Sequence, residues 1–326
     1  MDLLGDYALF LAKTVTIVLA LVALAALLGG RGRHKHAPEG RLQVHHLNAR
    51  YDAMARALER GMEPARSYRH WLARPRKRPP PPAGPRKGRP RMFVLNFTGD
   101  VRASAVASLR EEISAILGAA REGDRVLLRL QSPGGVVHGY GLAASQLLRL
   151  KAKGLPLTVA VDKVAASGGY MMACVADRIV AAPFAVVGSI GVIAQLPNFN
   201  RLLKAHNIDF EQFKGGEYKR TVTLFGENTE AEREKFQGDI DTTHRLFKDF
   251  VAQHRPGLDI GRVSTGEYWY GTEALQLGLI DEIGTSDDLL LQAASEAELF
   301  EVSYARRQPL TARLFGAIQA LRQPWS

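Results

Sequence analysis

The chain has 326 residues, of which 46% are hydrophobic and 23% charged, close to globular averages, so wholesale disorder is excluded. Thirty-one glycines without a Gly-X-Y period exclude a collagen, and one cysteine, Cys174, excludes an intrachain disulfide framework. The net charge of +10 suggests a nucleic-acid partner, and its distribution along the chain decides that question.

Residues 1–30 carry Lys13 against Asp2 and Asp6, a net charge of −1. From Ala8 to Gly30 the chain is apolar, and no residue between Thr14 and Leu28 is charged. About 20 apolar residues cross a bilayer as a helix, so this run is predicted to be a membrane span. A cleaved signal peptide fits less well, because Asp2 and Asp6 replace a basic start and Gly29-Gly30-Arg31 is a poor cleavage site. Residues 31–91 hold seventeen Lys and Arg against Glu39, Asp52, Glu59 and Glu63, a net +13. The remaining residues, 92–326, are slightly acidic at −2. The positive charge is thus a tether beside a membrane, which argues for lipid contact and against a nucleic-acid enzyme with a basic folded face.

Within that tether Leu47, Tyr51, Met54 and Leu58 recur at helical spacing and predict a short amphipathic helix. Arg74 to Arg91 contains seven of the sixteen prolines and predicts an extended spacer. Met92–Phe97 then reads as a buried strand, and Val106, Leu109, Ile113, Ile116, Leu117 and Ala120 as one helix face. Val126–Leu130 is a second strand, Gly139 to Lys151 a helix, Leu157–Val161 a third strand and Ile179–Ala182 a short fourth. Strands alternating with helices predict βαβ units and a parallel sheet. Glu230 to His254 is a long helix with a broad apolar face.

The sequence contains no GxSxG elbow, HExxH, CxxC or P-loop, and none of its nine histidines pairs at metal-ligand spacing. No metal or cofactor is expected. Two glycine-rich turns follow predicted strands: Ser132-Pro133-Gly134-Gly135 and Ala165-Ala166-Ser167-Gly168-Gly169-Tyr170. Ligands of parallel α/β folds gather at the carboxyl ends of strands, and each turn opens a helix whose first N–H groups suit an anion. Ser167 could be a nucleophile for acyl transfer, with N–H groups of Gly168 and of Gly134 or Gly135 as oxyanion donors. The same residues also fit a plain helix N-cap and tight-turn glycines. Likewise Pro183–Val187 and Ile190–Ile193 fit either a peptide groove or ordinary core.

Together with Gly188-Ser189-Ile190-Gly191-Val192, Gly216-Glu217-Tyr218-Lys219, and Gly271-Thr272-Glu273-Ala274 through Leu277-Gly278-Leu279-Ile280-Asp281, these turns resemble, in order, the signatures of the signal peptide peptidase A and SohB family. The resemblance covers about residues 92–290, and the anchor and basic extension before a single catalytic domain look like the SohB layout. It implies an α/β fold, the ClpP/crotonase-like spiral of βαβ units, with an N-terminal transmembrane helix. It also implies a serine endopeptidase with a Ser–Lys dyad acting on hydrophobic or unfolded peptides such as remnant signal peptides. By the resemblance, Ser167 is the nucleophile, Lys219 the general base and Ser189 the residue that positions the lysine, with Gly135, Gly168 and Gly134 as oxyanion donors. An ordinary lysine, with a pKa of about 10.4, cannot accept the serine proton at neutral pH, so this role requires burial in an apolar cleft. Tyr218, Val222, Leu224 and Phe225 could form one, and Lys163 and Lys214 are the local rivals for the role.

The expected organisation is therefore a membrane anchor (1–30), a basic Pro-rich extension (31–91), a peptidase domain (92–290) and a C-terminal strand and helix tail (291–326). The resemblance implies a single-pass protein of the bacterial inner membrane, whose partners are peptide substrates, membrane lipid and further copies of itself in a homo-oligomer. The positive-inside rule places the domain in the cytoplasm, whereas the family allows the periplasmic side. Two alternatives are a catalytically silent membrane scaffold on the same fold and a crotonase-type acyl-CoA enzyme.

Overall fold

The computed structural model describes Tyr7 and residues 9–18, 40–62, 84 and 88–306. Leu42–Ala305 forms a compact unit. Most of the predicted span, residues 63–83 and 85–87 with most of the predicted spacer, and the tail beyond 306 lie outside the described residues. Residues 9–18 are helical, with the Thr14 and Thr16 hydroxyls donating to the Phe10 and Ala12 carbonyls at 2.8 Å. At 1.5 Å per residue this stretch is roughly 15 Å long, half a bilayer core. Among the described residues no helix is long and apolar enough to cross a membrane.

The unit is α/β. Strands β1 (Arg41–His46), β2 (Arg91–Thr98), β3 (Arg125–Gln131), β4 (Leu157–Val161) and β6 (Arg178–Ala181) join β9 (Glu282–Ile283) and β10 (Glu298–Ala305) in one seven-stranded sheet. The order is β1-β10-β2-β3-β4-β6-β9, and every pair from β10 to β9 is parallel. A smaller sheet, β5-β7-β8, is made of Val164–Ala166, Val186–Gly188 and Tyr268–Tyr270. The βαβ alternation legible in the sequence is thus present, and the strands and helices read from periodicity between residues 92 and 254 fall within two residues of their observed ends, whereas the helix read over Leu47–Leu58 runs on to Met62. The short β5, β7 and β8 carry too few side chains for a period, and they were not legible.

Alternation along β2 explains the two cores. Phe93, Leu95 and Phe97 face one cluster with Leu128, Leu130 and Val159, covered by α2 (Val106–Ala119) and α3 (Val137–Ala152). Met92 and Val94 face the other, with Leu127, Ala160 and Leu299, covered by α9 (Ser286–Glu296) and α1 (Leu47–Met62).

Helix α1 lies in the stretch read from sequence as basic extension, yet it is part of the compact unit. Asn48 explains why: its Nδ2 donates to the Ala294 and Ala297 carbonyls at 3.0 and 2.9 Å, and its Oδ1 accepts from Leu299 N–H at 2.7 Å. Leu47 and Tyr51 then pack onto the second core, whereas Met54 and Leu58, on the same predicted stripe, are 57% and 66% exposed. Nearby, the buried Glu298 carboxylate meets His46 Nε2 at 2.7 Å and Arg89 Nη1 at 3.3 Å. One carboxylate therefore ties the end of β1 to the residues that lead into β2.

Candidate active site

The parallel sheet brings the two glycine turns together at the carboxyl ends of β3 and β5. Ser132 N–H donates to Val164 O at 2.8 Å and Ala166 N–H to Ser132 O at 3.0 Å, so the turns are hydrogen-bonded side by side. Ser167 follows β5 and precedes α4 (Gly168–Ala173). Its backbone is left-handed at φ 50°, a conformation that costs a non-glycine residue about 1–3 kcal/mol. Ser167 N–H is held by Gly188 O at 2.8 Å. Although Ser167 occupies the N-cap position, its side chain makes no capping bond, and its hydroxyl has no hydrogen-bond partner among the described residues. The N-cap alternative thus describes the backbone but not the side chain.

Glycine is required around this residue by space. A Cβ on Gly134, itself at φ 90°, would lie 2.7 Å from Ser167 Cβ and 2.8 Å from Gly168 N. A Cβ on Gly135 would overlap the Val101 backbone, and one on Gly168 the Tyr140 ring. Gly134 and Gly135 differ in their N–H groups. That of Gly134 donates to Ser132 Oγ at 3.1 Å, whereas those of Gly135 and Gly168 have no partner among the described residues. Ser132 Oγ in turn lies 2.6 Å from the Tyr140 hydroxyl, which donates to Asp100 O at 2.8 Å. The proton order is settled by this chain: Tyr140 gives its proton to Asp100 O, so Ser132 gives its own to Tyr140 and accepts from Gly134. Ser132 and Tyr140 are fully buried, and burial raises the Tyr140 phenol, which keeps it a donor. Tyr140, absent from the sequence analysis, is where the Gly134 turn is anchored.

Ser167, Gly134, Gly135, Gly168 and Ser189 line one cavity of about 900 Å³. Val101, Val136, Met171, Val192, Ile193 and Phe247 make its walls largely apolar. Ser189 is also left-handed, at φ 50°; its N–H donates to Glu267 O at 2.7 Å and its hydroxyl to Gly266 O at 3.3 Å. The two apolar stretches divide between groove and core: Val187 and Ile190 are buried, Val192 and Ile193 line the cavity, and Phe184 is on the surface. Thr243, His244 and Phe247 reach the cavity from α6 (Glu230–His254), whose apolar face was legible but whose destination was not.

Lys219 is not brought to Ser167 in this arrangement. It is exposed and absent from the cavity lining, and its neighbours form no cleft around it, because Tyr218, Leu224 and Phe225 are themselves exposed. The physical reason is that residues 206–229 add no strand to either sheet and no helix, so no buried face pulls the segment onto the site. Of the rivals, Lys163 is exposed and outside the cavity, and Lys214 is paired with Glu232 at 2.6 Å. The Lys214 ammonium and the Thr229 N–H lower the Glu232 carboxyl to about 2. Cys174 is buried, donates to Met171 O, and has its thiol pushed up to about 12 by burial, which leaves it unreactive.

The chain is similar to known peptidases along almost its whole length. Residues 149–300 match the model of peptidase family S49, and residues 2–147 match that of the peptidase family S49 N-terminal region. A "Probable protease SohB" of Haemophilus influenzae is 47% identical over 322 residues, covering 95% of this chain and 91% of that protein. Another, from Buchnera aphidicola, is 47% identical over 318 residues, covering 98% and 95%. A "Putative signal peptide peptidase SppA" of Enterococcus faecium is 30% identical over 181 residues, covering 55% of this chain and 52% of its own length. With both halves matched by the family's models around a strained serine and two free N–H groups, the chain belongs to peptidase family S49.

Proposed function

We propose that this chain is a membrane-anchored serine endopeptidase that uses a Ser167–Lys219 dyad to cleave extended hydrophobic peptides. The observation that carries the reading is Ser167 itself: a strained, unbonded hydroxyl at an apolar cavity, flanked by the unpartnered N–H groups of Gly135 and Gly168. Ser167 Oγ attacks the peptide carbonyl and passes its proton to the neutral amine of Lys219. The tetrahedral oxygen accepts from Gly135 and Gly168, a stabilisation worth on the order of 10²–10³ in rate per donor. Collapse expels the leaving amine, which takes the proton back from the Lys219 ammonium, and water then hydrolyses the acyl-enzyme by the same relay. Gly134 serves as the turn that leaves room for Ser167, and Ser189 as the hydroxyl that receives the lysine.

The dyad requires segment 206–229 to close over the cavity. Phe213, 91% exposed, and the exposed Tyr218, Leu224 and Phe225 supply the apolar surface whose burial would favour that closure and desolvate the amine. The walls suit hydrophobic peptides, as remnant signal peptides are. The apolar run 8–30 supplies the single span in a bacterial inner membrane, the +13 tether contacts lipid, and the spiral ClpP/crotonase-type arrangement allows assembly into a homo-oligomer.

Labelling of Ser167 by a fluorophosphonate tests the nucleophile: Ser167→Ala should lose both labelling and peptide cleavage. Lys219→Ala should lose cleavage by a factor of at least ~10³ with an unchanged melting temperature, and Lys219→Arg nearly as much, because a guanidinium stays charged. Full cleavage by Lys219→Ala would sink the dyad. One observation favours a second reading, a catalytically silent scaffold: Lys219 stands outside the cavity. That reading expects no labelling and no turnover from the intact chain.

A further inference from the structure

We propose that His244 is a positioning residue, which sets the cavity wall Ile190–Ile193 at the distance from Ser167 that an extended peptide requires. The inference rests on the peptidase reading above and adds to it a residue from a distant helix.

The wall begins at β7 and leaves the sheet after Gly188. From Ile190 to Phe199 the chain has no regular secondary structure, and from Val192 to Pro197 its backbone makes no hydrogen bond among the described residues. Gly191, Val192 and Ile193 nevertheless line the cavity, and Ile193 is 78% exposed. A stretch with unpaired N–H and C=O groups beside a nucleophile is a template on which a peptide main chain can pair. Its position matters because Ser167 N–H hangs from Gly188 O, two residues before the buried Ile190.

Beyond Ser189, which is bonded to Glu267 O and Gly266 O, two further hydrogen bonds meet the start of this wall. Gly191 N–H donates to Ser189 O at 2.9 Å, a local bond that shapes the turn without placing it in the molecule. His244 Nε2 lies 3.3 Å from Ile190 O, a contact spanning 54 residues. Since a carbonyl only accepts, Nε2 carries the proton and donates. The histidine itself is firmly held, because the same face of α6 buries Phe247 and Val251 in the first core. Ser189 is tied to Glu267 and Gly266, and the Ile190 side chain is buried in the first core. Past Ser189, however, the His244 contact is the one long-range hydrogen bond to the wall's backbone among the described residues, so His244 transmits the position of a packed helix to it.

The experiment compares the full chain with His244→Ala and His244→Gln, the latter keeping an N–H donor on a side chain of similar reach. Two readouts are taken: steady-state cleavage of an extended hydrophobic peptide, and the labelling rate of a small fluorophosphonate that does not reach the wall. The expected result is a KM raised about 10-fold in His244→Ala, with kcat and labelling within about 3-fold of the parent, and a KM restored to within about 2-fold by His244→Gln. An unchanged KM in His244→Ala would overturn the proposal. So would an equal loss of cleavage and labelling in both variants, which would assign His244 to support of the fold. Ser167→Ala is the companion control: cleavage surviving in it would defeat the peptidase reading itself, whereas a dead Ser167→Ala with a normal His244→Ala defeats only the positioning role.

Discussion

The two halves of the site are built differently. Around Ser167 each backbone turn is held by long-range bonds: Ser132 to Val164, Ala166 to Ser132, Ser167 to Gly188, Tyr140 to Asp100. Around Lys219, residues 206–222 are bonded locally apart from the Lys214–Glu232 pair, residues 223–227 are tied beyond their own turn only to the neighbouring stretch Asn198–Lys204, and large apolar side chains stand in solvent. Ser167 and the Gly135 and Gly168 N–H groups, the proposed nucleophile and oxyanion donors, are thus preorganised by the sheet, where catalysis gains most from fixed dipoles. The proposed base, Lys219, sits on a segment whose placement no sheet dictates. Segments of low contact density are the ones that move when a ligand binds.

Substitutions can break this contrast at either half. Among substitutions outside the proposed dyad, the largest effect is expected at Gly134→Ala, whose methyl would collide with Ser167 and sit at a positive φ. Peptide cleavage should fall at least ~10²-fold, with stability lower by about 1–3 kcal/mol in denaturant titration. A fully active Gly134→Ala would mean that the turn is not rigid. Next comes Tyr140→Phe, which leaves Ser132 without its acceptor and Asp100 O without its donor in a buried place. A loss of about 1–3 kcal/mol is expected in the same titration, together with slower fluorophosphonate labelling.

Glu112 tests the scaffold apart from the site. It is buried in α2, accepts from Tyr304 N–H at 2.8 Å, and burial raises its carboxyl from 4.5 to about 6. The folded state therefore holds a proton that the unfolded chain releases earlier. Stability present below pH 4.5 is lost as the pH rises to about 6, by roughly 2 kcal/mol in all. Glu112→Gln should flatten that slope while leaving cleavage unchanged at neutral pH; an undiminished slope would assign it to other groups. The smallest effect belongs to Lys214→Ala, which breaks an exposed ion pair on the base side. Its melting temperature should stay within about 2 °C of the parent. A larger drop would show that segment 206–229 is anchored more firmly than its bonds suggest.

Much of this was legible from residues alone. Met92–Phe97, Val126–Leu130 and Leu157–Val161 announce buried parallel strands by apolar content, and Ser-Pro-Gly-Gly and Ala-Ser-Gly-Gly-Tyr announce turns where backbone must approach closely. The Gly134 and Gly135 roles were not separable, because only the Ser132 hydroxyl distinguishes their N–H groups. Helix α1 was read as tether because its arginines outweigh Leu47 and Tyr51, and nothing local marks Asn48 as the residue that pins it to β10.

The sequence by itself determined the strand and helix periods, the glycine turns and the segregation of charge into residues 31–91, since each depends on neighbours within a few positions. Only the tertiary structure decided that residues 42–62 join the folded unit, that Tyr140 anchors the Gly134 turn, that α6 delivers His244 to the wall, and that Lys219 lies outside the cavity. Those outcomes depend on contacts between segments far apart in the chain, where the free energy of packing two faces has no signature in either one alone.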